Sequence, residues 1–280
     1  MIENPVLLDP IIRRALEEDL GPGDLTTEAI VSPESRGKAV LLAREELVLA
    51  GLPVFCRVFD LLCSEMTFEG NFLDGQVVPP GGRICLLSGS LAAILEGERT
   101  ALNFLQRMSG IATLTRRYVE RVRSYKVRVV DTRKTAPGLR LLDKYAVRMG
   151  GGFNHRMGLF DGILIKDNHI AAAGSVRQAV ALAKKSAPHT VKVEVEVEGL
   201  GVIEEAIEAG ADVILLDNMP PPMVRDAVRM ISGRVKTEAS GNINLDNIEA
   251  YAQAGVDIIS AGALTHSPRA ANVSLELTSS

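Results

Sequence analysis

The sequence predicts an α/β protein whose C-terminal half is a barrel-like set of parallel strands. Three observations carry this. From about Tyr125 onward, short β-branched runs alternate with helical stretches, the pattern of βαβ units. Nearly every one of those runs ends on a polar or charged residue. The 280-residue chain is 46% hydrophobic but only 4% aromatic, with no Trp, so its core is aliphatic, as buried parallel strands and covering helices require.

The first hundred residues read as mixed structure. An amphipathic helix over Pro10–Leu20 stops at Gly21-Pro22-Gly23, where a helix cannot continue. Strand-like runs follow at Lys38–Leu42, Leu47–Ala50 and Met66–Phe68, and Asp74-Gly75 and Pro79-Pro80-Gly81-Gly82 mark turns. Ser90–Leu105 reads as a helix leading into Ser109-Gly110. The later strands are expected at Val127–Val130, Gly162–Ile165, Val191–Val197, Val213–Leu216, Val235–Thr237 and Val256–Ile259. Helices between them are expected at Ser175–Lys185, Leu200–Glu208, Pro221–Met230 and Leu245–Ala254. Six strands favour a barrel over an open sheet without demonstrating an eightfold one.

Cys56, Cys63 and Cys85 form no CxxC pair and have no His nearby, so they read as buried thiols rather than a disulfide framework or zinc site. The N-terminus lacks a basic start followed by an apolar run, and no apolar stretch approaches the roughly 18 residues of a membrane span. The expectation is a soluble cytoplasmic protein without a membrane partner. A net charge of −4 argues against a general nucleic-acid binder. Yet Lys126–Lys166 holds nine Lys/Arg against three Asp, +6, leaving −10 for the rest. A basic island in an acidic chain points to a small anionic ligand.

The expected strand ends are Asp131, Lys166, Glu196 or Glu198, Asp217, Glu238 with Ser240, and Ser260. A single charge there is ordinarily a solvated loop residue. Six at corresponding positions point to one crevice at the carboxyl ends of the strands. Arg133 and Lys134, in DTRKTAPGLR, combine a planar fork for a carboxylate with a mobile point charge for phosphate. Gly150-Gly151-Gly152 precedes Phe153-Asn154-His155-Arg156, and His155 and Arg156 lie a short loop before Lys166. VKVEVEVE has valines on one face and Lys192, Glu194, Glu196 and Glu198 on the other, which on an edge strand would be a wetted face. Inside a barrel those carboxylates need partners, and Glu196 with Asp217 would suit Mg²⁺. The small residues of Glu238–Ile243 and Ser260–His266 allow backbone N–H groups to surround a phosphate. No P-loop, GxSxG elbow or GxGxxG is present.

Taken together, the ordered segments resemble the quinolinate phosphoribosyltransferase family over nearly the whole chain. They are EDLG with GDLTT, ERTALN with SGIAT, DTRKTAPGLR, GGGFNHRMGLFDGILIKDNH, VEVEVE, ILLDN and EASGNI. Asn242 stands where many members carry Gly. The resemblance implies an N-terminal α/β sandwich domain over residues 1–110, an incomplete (open) α/β barrel over 111–268, and a segment 269–280 returning to the first domain. It implies a homodimer with shared active sites or a higher oligomer, and a reaction of quinolinate with phosphoribosyl pyrophosphate yielding nicotinate mononucleotide, pyrophosphate and carbon dioxide. Carried over by motif, Arg133, His155, Arg156 and Lys166 would bind quinolinate, with Arg99 supplied by the partner subunit. Lys134 would serve quinolinate or pyrophosphate, and Glu196 and Asp217 the ribose hydroxyls and Mg²⁺. Ser240, Gly241, Gly262 and His266 would take the 5′-phosphate, and Lys134, Lys166, Glu196 and Asp217 would be catalytic. Two rivals remain open at this stage: a related phosphoribosyltransferase for another aromatic acid, and a Schiff-base aldolase using Lys166.

Overall fold

The computed structural model describes residues 2 and 4–278. Chain contacts divide it into two compact units, Met1–Arg116 with Ala136–Gly151 and Pro268–Ser280, and Arg117–Thr135 with Gly152–Ser267.

Unit 1 begins with α1 (Pro5–Leu20), α2 (Leu25–Ile30), β1 (Arg36–Ala43), β2 (Leu47–Val48) and α3 (Leu52–Leu62). It continues through β3 (Thr67–Gly70), β4 (Val77–Val78), β5 (Arg83–Ser90) and α4 (Leu91–Arg121), whose last turn belongs to unit 2. Asn4 caps α1 by accepting the Val6 N–H, with Pro5 in the first turn where no donor is needed. Leu8, Ile12 and Leu16, one helical turn apart, form its buried stripe. On α3, Val54, Phe55, Val58 and Phe59 are buried, and the two rings meet edge to face at 5.1 Å. Asp9 and Arg57 join α1 to α3 by two hydrogen bonds of 2.9 and 2.7 Å.

The antiparallel sheet of this unit runs β12-β1-β5-β3, where β12 (Val273–Leu277) comes from the end of the chain. Leu275 lies opposite Leu41, so the C-terminal segment pairs with the first long strand. Helix α4 extends well beyond the Leu105 expected from the sequence because Ser109 and Gly110 stay helical. The Ser109 hydroxyl donates to the Ala50 carbonyl at 3.2 Å and accepts the Ala50 N–H at 3.1 Å. A Cβ on Gly110 would lie 2.1 Å from the Arg269 carbonyl, so a missing side chain admits the C-terminal segment. Gly110→Val is therefore expected to destabilise unit 1 by about 1–3 kcal/mol or more through overpacking. Thermal melting checks this, and an unchanged melting temperature would contradict it.

Unit 2 holds six parallel strands: β6 (Arg128–Val130), β7 (Ile163–Ile165), β8 (Val193–Val197), β9 (Val213–Asp217), β10 (Lys236–Ser240) and β11 (Ile258–Ser260). Their order is β6-β11-β10-β9-β8-β7, which leaves β6 and β7 as the outer strands of an incomplete barrel. The helices are α6 (Asp167–Ala173), α7 (Val176–Ser186), α8 (Ile203–Glu208), α9 (Pro221–Ile231), α10 (Ile248–Gln253) and α11 (Ala263–His266). On α9, Val224, Ala227 and Ile231 form one buried apolar stripe. The β8 strand lies between β7 and β9, not at an edge, so both its backbone edges are paired. The expected helix over Leu245–Ala254 starts later, at Ile248. The Asn244 side chain accepts the Asp246 and Asn247 N–H groups and holds an Asx turn there instead.

One element departs from the sequence division. Helix α5 (Arg140–Met149) lies after β6 in the chain yet clusters with unit 1. Asp143 on α5 is fully buried and accepts two hydrogen bonds from Arg107, while Tyr145 donates to Asp74 at 2.8 Å. The basic island is split accordingly. Arg140, Lys144 and Arg148 ride on α5, whereas Arg133, Lys134, Arg156 and Lys166 belong to unit 2.

Candidate active site

Eleven of the twelve singled-out site residues lie in unit 2, and most sit on the carboxyl-terminal ends of its strands or the loops that follow them. Arg99 is exposed on α4 in unit 1. Arg133 and Lys134 occupy the exposed loop after β6, where the Lys134 N–H donates to the Thr132 hydroxyl at 3.1 Å. Thr265, after β11, donates its hydroxyl to the Lys134 carbonyl at 2.8 Å and ties the first strand's loop to the last one. A Cβ on Gly262 would come within 3.1 Å of both the His266 ring and the Lys134 stem. Glycine keeps that gap open between two cationic or polar side chains.

At the ends of β9 and β10 the chain turns through left-handed backbone. Asn218, Gly241 and Asn242 have φ of 53°, 94° and 52°. The Asn218 N–H donates to the Ser240 carbonyl at 2.9 Å, and the Asn242 amide reaches the Asn218 oxygen at 3.2 Å. Asn is among the few residues besides Gly that adopt this conformation readily, which suits Asn242 to this turn. Gly241 is required more strictly, because a Cβ there would lie 2.2 Å from the Asn218 side-chain oxygen.

The carboxylates and cations form two groups. Lys166, closing β7, pairs its ammonium with Glu196 on β8. In register, Glu196 lies opposite Leu215, and Asp217 is two residues further on, so Glu196 and Asp217 share one face of adjacent strands. Asp217 accepts the Asn218 amide at 2.8 Å. The second group surrounds His155. Asp131 accepts the His155 N–H at 2.9 Å and the Asn154 amide at 2.6 Å, which fixes the loop after the glycines. The Arg156 N–H donates to His155 Nδ1 at 2.8 Å, while Nε2 meets Glu194 at 3.1 Å and Glu238 at 3.7 Å. Arg156 donates to the Gly162 carbonyl at 2.8 Å. Burial first, and then the charge of the Arg133 guanidinium, lower the pKa of Arg156.

Glu194 and Glu238 are residues to which the sequence assigned no specific role. Both were visible, one in the VEVEVE alternation and one among the strand ends of the expected crevice, but neither was given a binding or catalytic role. Glu238 is almost wholly buried, and burial, followed by the Glu194 charge, pushes its carboxyl up to about 8. A cavity of about 450 Å³ opens beside this cluster, lined by Asn154, His155, Arg156, Lys192, Glu194 and Glu238.

Two family models match the chain. Residues 24–109 match the quinolinate phosphoribosyl transferase N-terminal domain, and 111–276 match its C-terminal domain. A probable nicotinate-nucleotide pyrophosphorylase [carboxylating] of Bacillus subtilis is 45% identical, covering 98% of this chain and 95% of that protein. A quinolinate phosphoribosyltransferase [decarboxylating] of Nicotiana tabacum is 40% identical over 96% of this chain and 82% of its own length. The crystal structure of NadC from Streptococcus pyogenes superposes with a TM-score of 0.94 at 46% identity, covering 98% of each chain. Matched across both domains and along nearly its full length, this chain belongs to the quinolinate phosphoribosyltransferase family.

Proposed function

We propose that this enzyme transfers the phosphoribosyl group of phosphoribosyl pyrophosphate to quinolinate and releases nicotinate mononucleotide, pyrophosphate and carbon dioxide, a step of NAD biosynthesis. The observation that carries this reading is that cations (Arg133, Lys134, Lys166) and carboxylates (Glu196, Asp217) stand together at or just past the carboxyl ends of the strands of one sheet. A dicarboxylate needs the first, and a sugar with developing positive charge needs the second.

In the proposed arrangement, Arg133, His155, Arg156 and Lys166 form the wall that receives the two quinolinate carboxylates, together with the partner subunit's Arg99. The pyridine nitrogen bonds to the ribose C1 as the bond from C1 to the pyrophosphate oxygen breaks. Glu196 and Asp217 face the ribose and stabilise the cationic character of C1, so no enzyme nucleophile is required. Lys134 stands where it can take negative charge from the departing pyrophosphate. Ser240, Gly241, Gly262 and His266 hold the 5′-phosphate with hydroxyl, backbone and ring donors. Loss of the carboxylate next to the ring nitrogen leaves an electron pair that the pyridinium charge stabilises, and a solvent proton completes the ring.

Glu196 and Asp217 also fit Mg²⁺. They are hard oxygen donors on one face of neighbouring strands, and Mg²⁺ binds through one or two carboxylates plus substrate phosphates. Bound there, the ion would neutralise pyrophosphate charge. The unpaired thiols Cys56, Cys63 and Cys85 suit the reducing cytoplasm, and no helix among the described residues is long and apolar enough to cross a membrane.

The test mixes purified protein with quinolinate, phosphoribosyl pyrophosphate and Mg²⁺ and follows nicotinate mononucleotide and carbon dioxide, with nicotinate as a parallel substrate. Equal release of both products from quinolinate, little turnover of nicotinate, and loss of activity on EDTA treatment reversed by Mg²⁺ are expected. Turnover of nicotinate alone would overturn the assignment of the cationic wall.

A further inference from the structure

The His155 ring is already committed on both sides. Its Nδ1 accepts the Arg156 backbone N–H at 2.8 Å, and Nε2 faces Glu194 at 3.1 Å, an arrangement that suits the tautomer with its N–H on Nε2. Beyond Nε2 lie two carboxylates from β8 and β10, and the ligating atoms of His155, Glu194 and Glu238 all fall within 4.8 Å of one another. One oxygen of each, Glu194 Oε1 and Glu238 Oε1, is buried without a hydrogen-bond partner. Two neighbouring buried anions with orphaned oxygens are costly, and either a shared proton or a cation removes that cost. The ring decides between them. A metal on Nε2 would have to displace its proton while Nδ1 is still accepting, which leaves an imidazolate.

We propose that Glu238 is a positioning residue of the quinolinate pocket: as a neutral acid it shares its proton with Glu194, holds Glu194 against His155 Nε2, and so fixes the His155–Arg156 segment that presents the Arg156 fork. This rests on the quinolinate reading above and deepens it. The groups facing Glu238 agree. Glu194 on β8 is the acceptor, and Leu215 and Ile258 are its register neighbours on β9 and β11, so neither adjacent strand offers a charge in register. Ser260 on β11 offers a hydroxyl, His155 and Arg156 come from the loop, and Asp131 is occupied by Asn154 and the His155 backbone. Lys192 and Asp161 line the adjoining cavity, through which protons can exchange with solvent. Burial and the Glu194 charge keep the proton on Glu238 up to about pH 8.

Steady-state kinetics of the wild type, Glu238→Gln and Glu238→Ala between pH 6 and 9.5 would test this, with both substrates varied. In the wild type, KM for quinolinate is expected to rise above pH 8 while kcat and KM for phosphoribosyl pyrophosphate hold. Glu238→Gln keeps a donor that does not titrate, so its quinolinate KM should match the wild type near pH 7 and lose the alkaline rise. Glu238→Ala should raise quinolinate KM about tenfold or more, the scale of a lost hydrogen bond to a charged group. An alkaline rise that persists in Glu238→Gln, or a fall in kcat and sugar binding together with the rise in KM, would overturn the role.

A readout independent of turnover separates this failure from failure of the substrate assignment. Glu238 is held near 8 in the folded protein against an ordinary value of 4.5. Its contribution to stability is therefore full below pH 4.5 and is lost as pH rises to about 8. The wild-type melting temperature should fall relative to that of Glu238→Gln across that window and run parallel above it. Parallel melting at every pH would sink the shared proton. So would about one equivalent of transition metal, measured after chelator dialysis, retained by the wild type and lost in Glu238→Gln.

Discussion

Arg133→Ala is expected to raise the quinolinate Kd about a thousandfold while leaving phosphoribosyl pyrophosphate binding within about twofold. Two hydrogen bonds to an ionised carboxylate, each worth about 2 kcal/mol, amount to that factor. The residue is on an exposed loop, so its removal opens no core cavity and folding should be unaffected. Its fork stands near enough to Arg156 to oppose that residue's charge, a repulsion that a bound carboxylate would offset. Arg133→Lys keeps the charge but not the planar pair of donors, so an intermediate loss of roughly ten- to a hundredfold is expected. Calorimetric titration of each substrate separately checks the split. Unchanged quinolinate affinity, or equal losses for both ligands, would refute the role.

The parts of this fold that could be read from sequence are those whose signals are local. The six parallel strands follow from β-branched runs such as Val213–Leu216, which is buried throughout on a β9 paired along both edges. The convergence of Lys166, Glu196, Asp217 and Ser240 follows from topology, since parallel strands deliver their carboxyl ends to one edge. What stayed hidden depends on distant partners. Nothing near Ser109-Gly110 shows that Arg269 will cross there, so the end of α4 was placed too early. The alternation of VKVEVEVE gives the face of Glu194 but not its companion. Glu238 lies on β10, with β9 between the two strands, and they meet only because a curved sheet places side chains from alternate strands in one interior layer. The commitment of both His155 nitrogens likewise depends on the path of the following residue's backbone.

The Asp143 carboxylate supports the second large effect, and here the readout is stability. It is fully buried on the first turn of α5, where a negative charge also favours the helix N-terminus. Arg107 donates to both its oxygens at 2.8 and 2.7 Å, and the Ala136 N–H adds a third bond at 3.1 Å. A surface ion pair contributes little, but removing one partner of a buried pair leaves the other charge uncompensated, at a cost of about 3–5 kcal/mol. Asp143→Ala is therefore expected to lower the melting temperature of the first calorimetric transition by roughly 10 °C, at about 2–4 °C per kcal/mol for a chain of this size. The asymmetry of buried pairs supplies the control. Asp143→Leu combined with Arg107→Met replaces both charges by apolar groups of similar volume and should recover much of the loss, because no buried charge is left without a partner. A double variant as unstable as Asp143→Ala would instead assign the stability to the hydrogen bond that holds Ala136 at the start of α5. A single variant within about 1 kcal/mol of the wild type would remove the pair from any account of what holds α5 in unit 1.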